Sequence, residues 1–389
     1  MNILYIVQYF YPETNAAANR TLSHAKCLSK HHNIQVLTGL PNHPKAKLFD
    51  GYKSKFFQKR TVENIPVFYS YEYIPKNLAS FKQRIFNYLT ASFSIFINYF
   101  RIKNIDLIIA SSPPLTILVT SYILAKLTKK KLIIEIRDVW PQAILKTTNS
   151  FLKTLEFFEN KAYKYATNVV INSPGLKTEL LKHKKIDENK IVYIPNGINI
   201  QEFNNKLSKT SIDTSFMENK FIITFSGLIG FAQNMDVLIN LAKQVEKYPE
   251  ILILIIGTGP KYAELQEKTK NIHNIKLLGY IQQENLYKVL TKSDILLISL
   301  KNDKNYTKNI PSKIYDYLAS KKPIVVNIPG SCQEIIAKYN CGLYNTEFND
   351  QMFINNIINL YQNKDLRDKI TDNINNVLTK IEINNIIQK

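Results

Sequence analysis

The run Asn309-Ile310-Pro311-Ser312-Lys313-Ile314-Tyr315-Asp316-Tyr317-Leu318-Ala319 holds residue types suited to chemistry on an anion. Pro311 cannot continue a strand and Ser312 is a favoured N-cap, so the spacing predicts a helix that begins here. Amide N–H groups at a helix start, at the positive end of the dipole, favour negative charge. Lys313 in the first turn adds a full cation suited to phosphate. Asp316, one turn on, can accept hydrogen bonds from two adjacent hydroxyls, as on a ribose. The same residues also fit an ordinary capped helix with a surface lysine and aspartate, and spacing leaves both readings open.

Three glycine-bearing loops follow apolar runs. Phe225-Ser226-Gly227-Leu228-Ile229-Gly230-Phe231-Ala232-Gln233 has two glycines three apart; Gly257 and Gly259 lie in Ile256-Gly257-Thr258-Gly259-Pro260; Gly279-Tyr280-Ile281 is the third. Glycine lets backbone approach a ligand closely, or supplies the positive φ of a strand-to-helix turn. Earlier in the chain, Glu135-Ile136-Arg137-Asp138-Val139-Trp140-Pro141 sets Arg137, Asp138 and the single tryptophan just past another apolar run. Charges there are costly unless paired or functional. Either Arg137 and Asp138 pair within the fold, or they face a substrate.

These groups need elements to position them. Strand-like runs at 3–7, 34–38, 107–110, 132–136, 168–171 and 191–194 alternate with helix-period stretches. A second series follows at 221–226, 251–256, 275–278, 295–299, 324–327 and 342–344. Continuous apolar strands separated by helices predict parallel sheets covered on both faces. The fold expected is α/β, with two Rossmann-like, doubly wound domains facing across a cleft. Residues 1–199 form the first domain and 200–364 the second. The break falls in the polar stretch 199–219, read as poor in structure, and a terminal helical stretch, 365–389, can pack back on the first domain. Ligands of open α/β sheets bind at the carboxyl ends of the strands, where the loops above fall.

The chain has 389 residues, 45% hydrophobic and 21% charged, which is globular arithmetic for more than one core. Three cysteines without a CxxC or Cys/His cluster argue against a disulfide scaffold or structural zinc. Met1-Asn2-Ile3-Leu4-Tyr5-Ile6-Val7 reads as a strand, not a signal peptide. The apolar stretch from Leu115 to Ala125 is about half of the ~20 residues a membrane-spanning helix needs. A soluble cytoplasmic protein, or one held at a membrane surface, is expected.

Net charge is +20. Residues 1–200 contain 28 basic and 12 acidic residues, so most of the excess lies in the first half. Such a one-sided field suits a polyanionic partner. The segment from Phe81 to Lys103 repeats large apolar residues every three or four positions beside Lys82, Arg84, Arg101 and Lys103. That pattern suits an interfacial helix on an anionic bilayer or a core helix with a basic edge. No zinc-finger spacing, RNP motif or bZIP-like region supports nucleic acid.

Pro311-Ser312-Lys313, then Tyr315-Asp316-Tyr317-Leu318-Ala319, resembles the signature of family 4 glycosyltransferases of the GT-B fold. Other pieces fall in the family's order: Tyr11-Pro12-Glu13, then Ala16-Ala17-Ala18 and Arg20; Pro41-Asn42-His43-Pro44; Pro195-Asn196-Gly197-Ile198-Asn199; the Gly227–Gly230 loop; and Gly257-Thr258-Gly259-Pro260. The Pro41–Pro44 and Glu135–Pro141 segments resemble the fucosamine and O-antigen transferase branch.

The resemblance implies a retaining, metal-independent hexosyl transfer from a UDP-sugar, with no cofactor. The donated sugar is an N-acetylated hexosamine or deoxyhexosamine. The acceptor is a polyprenyl-diphosphate-linked glycan of O-antigen or capsule biosynthesis, met at the inner face of the cytoplasmic membrane. Nucleotide-sugar binding is carried over to Gly227, Gly230, Gln233, Gly257, Gly259, Gly279, Ile281, Pro311, Ser312, Asp316 and Glu334. Asn15, Arg20, Asn42 and His43 are carried over to the acceptor, and Asp138, Arg137 and Lys313 to catalysis.

There are departures from the family pattern. Asp316 replaces a glutamate and Lys308 stands where another glutamate is expected. Gln233 replaces a lysine, Arg137 a histidine and Asn15 a glycine. A hydrolysing UDP-sugar 2-epimerase and a non-catalytic partner subunit are the alternatives.

Overall fold

The computed structural model describes residues 1–43, 46–76, 80–138, 150–184 and 186–387. Val139, Trp140 and Pro141 of the Glu135–Pro141 motif, and Pro44, lie outside the described residues. The chain divides into two units, Met1–Pro195 and Asn196–Lys389.

The first unit is built on β1 (Asn2–Ile6), β2 (Asn33–Gly39), β3 (Phe57–Val62), β4 (Ile65–Ser70), β5 (Leu107–Ser112), β6 (Lys131–Ile136), β7 (Asn168–Ile171) and β8 (Ile191–Tyr193). They lie in the order β3-β4-β2-β1-β5-β6-β7-β8. All pairs are parallel except β3 with β4. Alternation within β1 shows why both faces are apolar: Leu4 and Ile6 enter one core, Ile3 and Tyr5 another. The hairpin of β3 and β4 was not expected. It turns on Glu63 and Asn64, both at positive φ, without the glycine that marks such turns in a sequence.

The second unit holds β9 (Phe221–Ser226), β10 (Ile251–Ile256), β11 (Ile275–Gly279), β12 (Ile295–Ile298), β13 (Ile324–Val326) and β14 (Gly342–Tyr344), in the order β11-β10-β9-β12-β13-β14. Every pair is parallel. Strand order reverses at β1/β5 in the first sheet and at β9/β12 in the second. These are the switch points of doubly wound sheets.

Two expectations are corrected. The stretch 199–219 is not structure-poor: Asn199 caps a helix, Ile200–Leu207, by accepting from the Glu202 amide at 2.8 Å, and Phe203 is buried in the second core. The terminal stretch belongs to the second unit rather than the first, because Ile370, Ile374 and Ile381 join that unit's core. Backbone bonds seal it: Ile198 donates to the Ile381 carbonyl and Ile383 to the Ile198 carbonyl, both at 3.0 Å. A Cβ at Gly197 would stand 2.8 Å from the Ile381 carbonyl oxygen, which is why Pro195-Asn196-Gly197 needs its glycine.

Candidate functional site

In the second unit the geometry gathers around the β9/β12 switch point. Lys313 opens the seven-residue helix Lys313–Ala319. Its ammonium lies 3.9 Å from the centre of the buried Phe225 ring, on β9. A Cβ built on Gly227 would come 2.8 Å from Lys313 Nζ, so Gly227 leaves the cation its place. Loss of water pulls the Lys313 pKa down to about 7, opposed by Cys332. No described carboxylate forms an ion pair with it. A part-buried cation that no described carboxylate neutralises, beside a glycine loop, has the chemistry to hold an anion.

The glycine loops are stitched together by backbone. Gly227 donates to the Ile256 carbonyl at 2.8 Å, Gly257 to Gly279 at 2.7 Å and Ile229 to Thr258 at 2.9 Å. Gly227, Gly257, Gly259 and Gly279 all have positive φ. A side chain at Gly257 would strike the Gly227 carbonyl, and one at Gly259 the Ile229 carbonyl. These glycines therefore serve the packing of three adjacent strand ends. Gly230 differs: its amide donates to Gln233 Oε1 at 3.0 Å, without positive φ. The Ile281 side chain packs into the small core around Leu254 and Val289.

Asp316 lies one turn beyond Lys313. Tyr287 Oη donates to its Oδ1 at 3.2 Å, Gln283 donates to Tyr287 Oη at 2.6 Å, and Lys206 donates to Gln283 at 2.8 Å. Burial raises the Asp316 pKa to about 6, against the pull of Tyr287 and Lys206. Phe203 holds Tyr287 by ring contact at 4.2 Å.

Ser312 makes no capping bond with its side chain, contrary to expectation; its backbone is already αR. The Ile314 and Tyr315 amides bond the Pro311 and Ser312 carbonyls at 3.1 and 3.2 Å, so the expected set of open amides is reduced. Glu334 is exposed in the first turn of Ser331–Tyr339, and its amide bonds the Gly330 carbonyl. Tyr317, another residue of the motif, is structural: it accepts from the Ser226 amide at 2.9 Å and donates to Leu297 at 3.2 Å, tying β9 to β12.

In the first unit, Arg20, expected at an acceptor, takes a structural part. It is buried, donates to Glu135 at 2.7 Å, and reaches the Ile194 and Pro195 carbonyls at 2.9 and 3.1 Å. Burial would raise the Glu135 pKa, but Arg20, His24 and Arg137 hold it at about 2. Arg137 donates to Ser111 Oγ at 3.0 Å and to the Pro113 carbonyl at 2.8 Å, anchoring it beside β5; Asp138 is half-buried next to it. Asn15 caps Ala16–Leu28 by accepting from the Ala18 amide at 2.9 Å.

Asn42 and His43 come together through two carboxylates that sequence reasoning missed. Glu13 Oε1 accepts from both their amides, at 2.8 and 2.7 Å. Glu72 accepts from the Asn42 side chain and, at 2.5 Å, from Gln8. Both glutamates are buried. Burial raises the Glu13 pKa to about 7 against the two amides, and burial with Glu13 nearby raises Glu72 well above the carboxylate range. Glu13 stood in the Tyr11-Pro12-Glu13 motif, but nothing local marks Glu72, 59 positions later, as its neighbour. Among the described residues, no three His, Cys, Asp or Glu side chains gather as a metal site requires.

Two units with parallel, doubly wound sheets define the GT-B architecture. Residues 17–202 match glycosyltransferase family 4, and residues 208–377 match the family described as glycosyl transferases group 1. The chain belongs to the glycosyltransferases, with a family 4 domain followed by a group 1 domain.

WcaI of Escherichia coli K12, whose name places it in colanic acid biosynthesis, is 23% identical over 308 residues, 74% of this chain and 73% of its own. The Escherichia coli UDP-Gal:alpha-D-GlcNAc-diphosphoundecaprenol alpha-1,3-galactosyltransferase is 24% identical over 249 residues, 59% of this chain and 61% of its own. The curated relatives are thus matched over 40% to 73% of their own length, mostly under two thirds. Anabaena HepE, solved with UDP-glucose, has a TM-score of 0.74 at 17% identity, covering 100% of this chain and 97% of that one.

Proposed function

We propose that the protein transfers a sugar from a UDP-sugar to a polyprenyl-diphosphate-linked glycan during assembly of a surface polysaccharide, O-antigen or capsule, with retention at the anomeric carbon and without a metal ion. The sugar is an N-acetylated hexosamine or deoxyhexosamine, as the branch motifs suggest. The work is done at the inner face of the cytoplasmic membrane. The observation that carries the reading is Lys313, a part-buried cation with no carboxylate partner among the described residues, beside the end of β9. Support for the donor comes from HepE, solved with UDP-glucose. Support for the acceptor comes from a galactosyltransferase whose name specifies a diphosphoundecaprenol-linked sugar.

The chemistry follows from charge. Breaking the bond between the anomeric carbon and the β-phosphate oxygen leaves negative charge on the diphosphate. Lys313 stabilises that charge as it grows, inside a site poor in water. An acceptor hydroxyl oxygen forms the new bond on the same face of the sugar, and its proton passes to the departing phosphate oxygen. Asp316 holds the ribose hydroxyls; its shorter side chain is set in place by Tyr287. The Gly227–Gly230 loop faces the diphosphate, Gly279 and Ile281 the base, and Asp138 with Arg137 orients the reacting sugar or the acceptor.

The test begins with thermal shifts in UDP, GDP, ADP and their sugars. Uridine compounds should stabilise the protein most. The stabilising UDP-sugars are then offered with a polyprenyl-diphosphate-linked monosaccharide, and the product's anomeric configuration is read by NMR. Retention supports the reading. Inversion, UDP release that ignores the acceptor, or nucleotide binding with no turnover across the panel overturns it.

A further inference from the structure

The helix Phe81–Tyr99 is apolar on two sides. One side buries Ala91, Ile95 and Tyr99 and packs on the helix Leu115–Leu127. The other leaves Phe86, Leu89, Phe93, Ile97 and the capping residue Phe100 exposed at 53, 41, 64, 38 and 57%. Steps of three and four residues align these five as one stripe. A helix apolar all round needs an apolar neighbour on each side, and a contiguous exposed patch of large side chains marks an interaction surface.

Charge identifies the neighbour. No acidic residue lies between Glu72 and Asp106. Lys82 is exposed one turn before Phe86, and Arg101 and Lys103 are exposed just past Phe100. The stripe therefore has cations at both ends. A second copy is a poor occupant: antiparallel pairing of two such helices sets Lys82 against Arg101 and Lys103, and parallel pairing sets like against like. No described helix is long and apolar enough to cross a membrane, so the stripe suits a surface, not a span.

We propose that this stripe lies in the interfacial layer of an anionic lipid bilayer. Phe86, Leu89, Phe93, Ile97 and Phe100 sit among the upper acyl chains, and Lys82, Arg101 and Lys103 among headgroup phosphates. The assignment deepens the reading of a lipid-linked acceptor and rests on it for its purpose; its geometry stands apart from the donor site.

The full chain is floated with vesicles of phosphatidylcholine, with and without phosphatidylglycerol. The wild type should float with the anionic vesicles and far less with the neutral ones. Phe86→Ser/Phe93→Ser/Phe100→Ser should weaken binding about tenfold or more. Lys82→Ala should weaken it about fivefold, the equivalent of ~1 kcal/mol per surface cation, and the loss should shrink in high salt. All three serines replace exposed side chains, and an unchanged thermal shift with UDP confirms an intact donor site. As a second readout, Phe93→Trp should be quenched by brominated lipid.

Wild-type protein that stays down with both vesicle types, or a triple variant that floats as well as wild type, overturns the proposal. So does a dimer in solution that the triple variant abolishes while flotation is unaffected, which hands the stripe to a second copy. Failed flotation with intact transfer to a short-chain soluble acceptor removes this inference alone. Flotation without any nucleotide response removes the transferase reading alone.

Discussion

The Lys313 ammonium stands over the Phe225 ring, 3.9 Å from its centre, with no carboxylate among the described residues paired to it. An aromatic face attracts a cation but does not neutralise it. The lysine is thus held at a strand end where solvent is partly removed, and its pKa is drawn down to about 7.

A diphosphate bound there favours the charged lysine. Binding above pH 7 must then take up a proton, so UDP affinity should fall as pH rises from about 7 to 9. Titration calorimetry in buffers of different ionisation enthalpy, at about pH 8, should show that uptake. Lys313→Ala should abolish it and cut turnover by about a hundredfold or more, with little change in melting temperature. A variant with wild-type turnover would refute the role.

Gly257→Ala should destabilise the second unit by about 2 kcal/mol or more, through strain at positive φ and collision with the Gly227 carbonyl. Gly230→Ala, whose new methyl meets only side-chain atoms, Gln233 Oε1 and Leu228 Cδ2, both at 3.2 Å, and needs no positive φ, should cost far less. Thermal unfolding of the two variants side by side checks the contrast.

Arg20→Ala leaves the Glu135 carboxylate buried without its main partner. A loss of about 3–5 kcal/mol is expected in urea unfolding of the first unit. The double variant Arg20→Leu/Glu135→Leu should recover part of it. A raised KM for acceptor with unchanged stability would instead return Arg20 to substrate binding.

Glu13 has a folded pKa near 7, above its ordinary 4.5. Between those values the folded chain keeps a proton that the unfolded chain releases. Stability should therefore decline as pH rises through that window, and Glu72 adds in the same direction. Melting temperatures of Glu13→Gln, measured from about pH 4 to 8, should show a shallower decline than the wild type.

The expected strands were legible wherever apolar β-branched residues ran without interruption, as in Ile251–Ile256, because a strand covered on both faces needs them throughout. The β3–β4 hairpin was not: β3 is an edge strand with polar residues such as Gln58, Lys59 and Arg60, and its turn uses Glu63-Asn64. Lys313 and the glycine loops could be picked out because a cation or a glycine after a strand has few reasons to be there. The buried bonds of Arg20 were not legible, since an ion pair and a substrate contact ask for the same residue type.

The amino-acid order alone determined the alternation of strand and helix and the two-domain plan, because periodicity and turn chemistry are local. Which charges are consumed inside the fold was decided by tertiary structure. Arg20 and Glu135 are 115 positions apart, and Asp316 meets Tyr287 29 positions away. Whether a lysine keeps its charge for a ligand depends on which carboxylates the folded chain brings near it, and no local pattern encodes that.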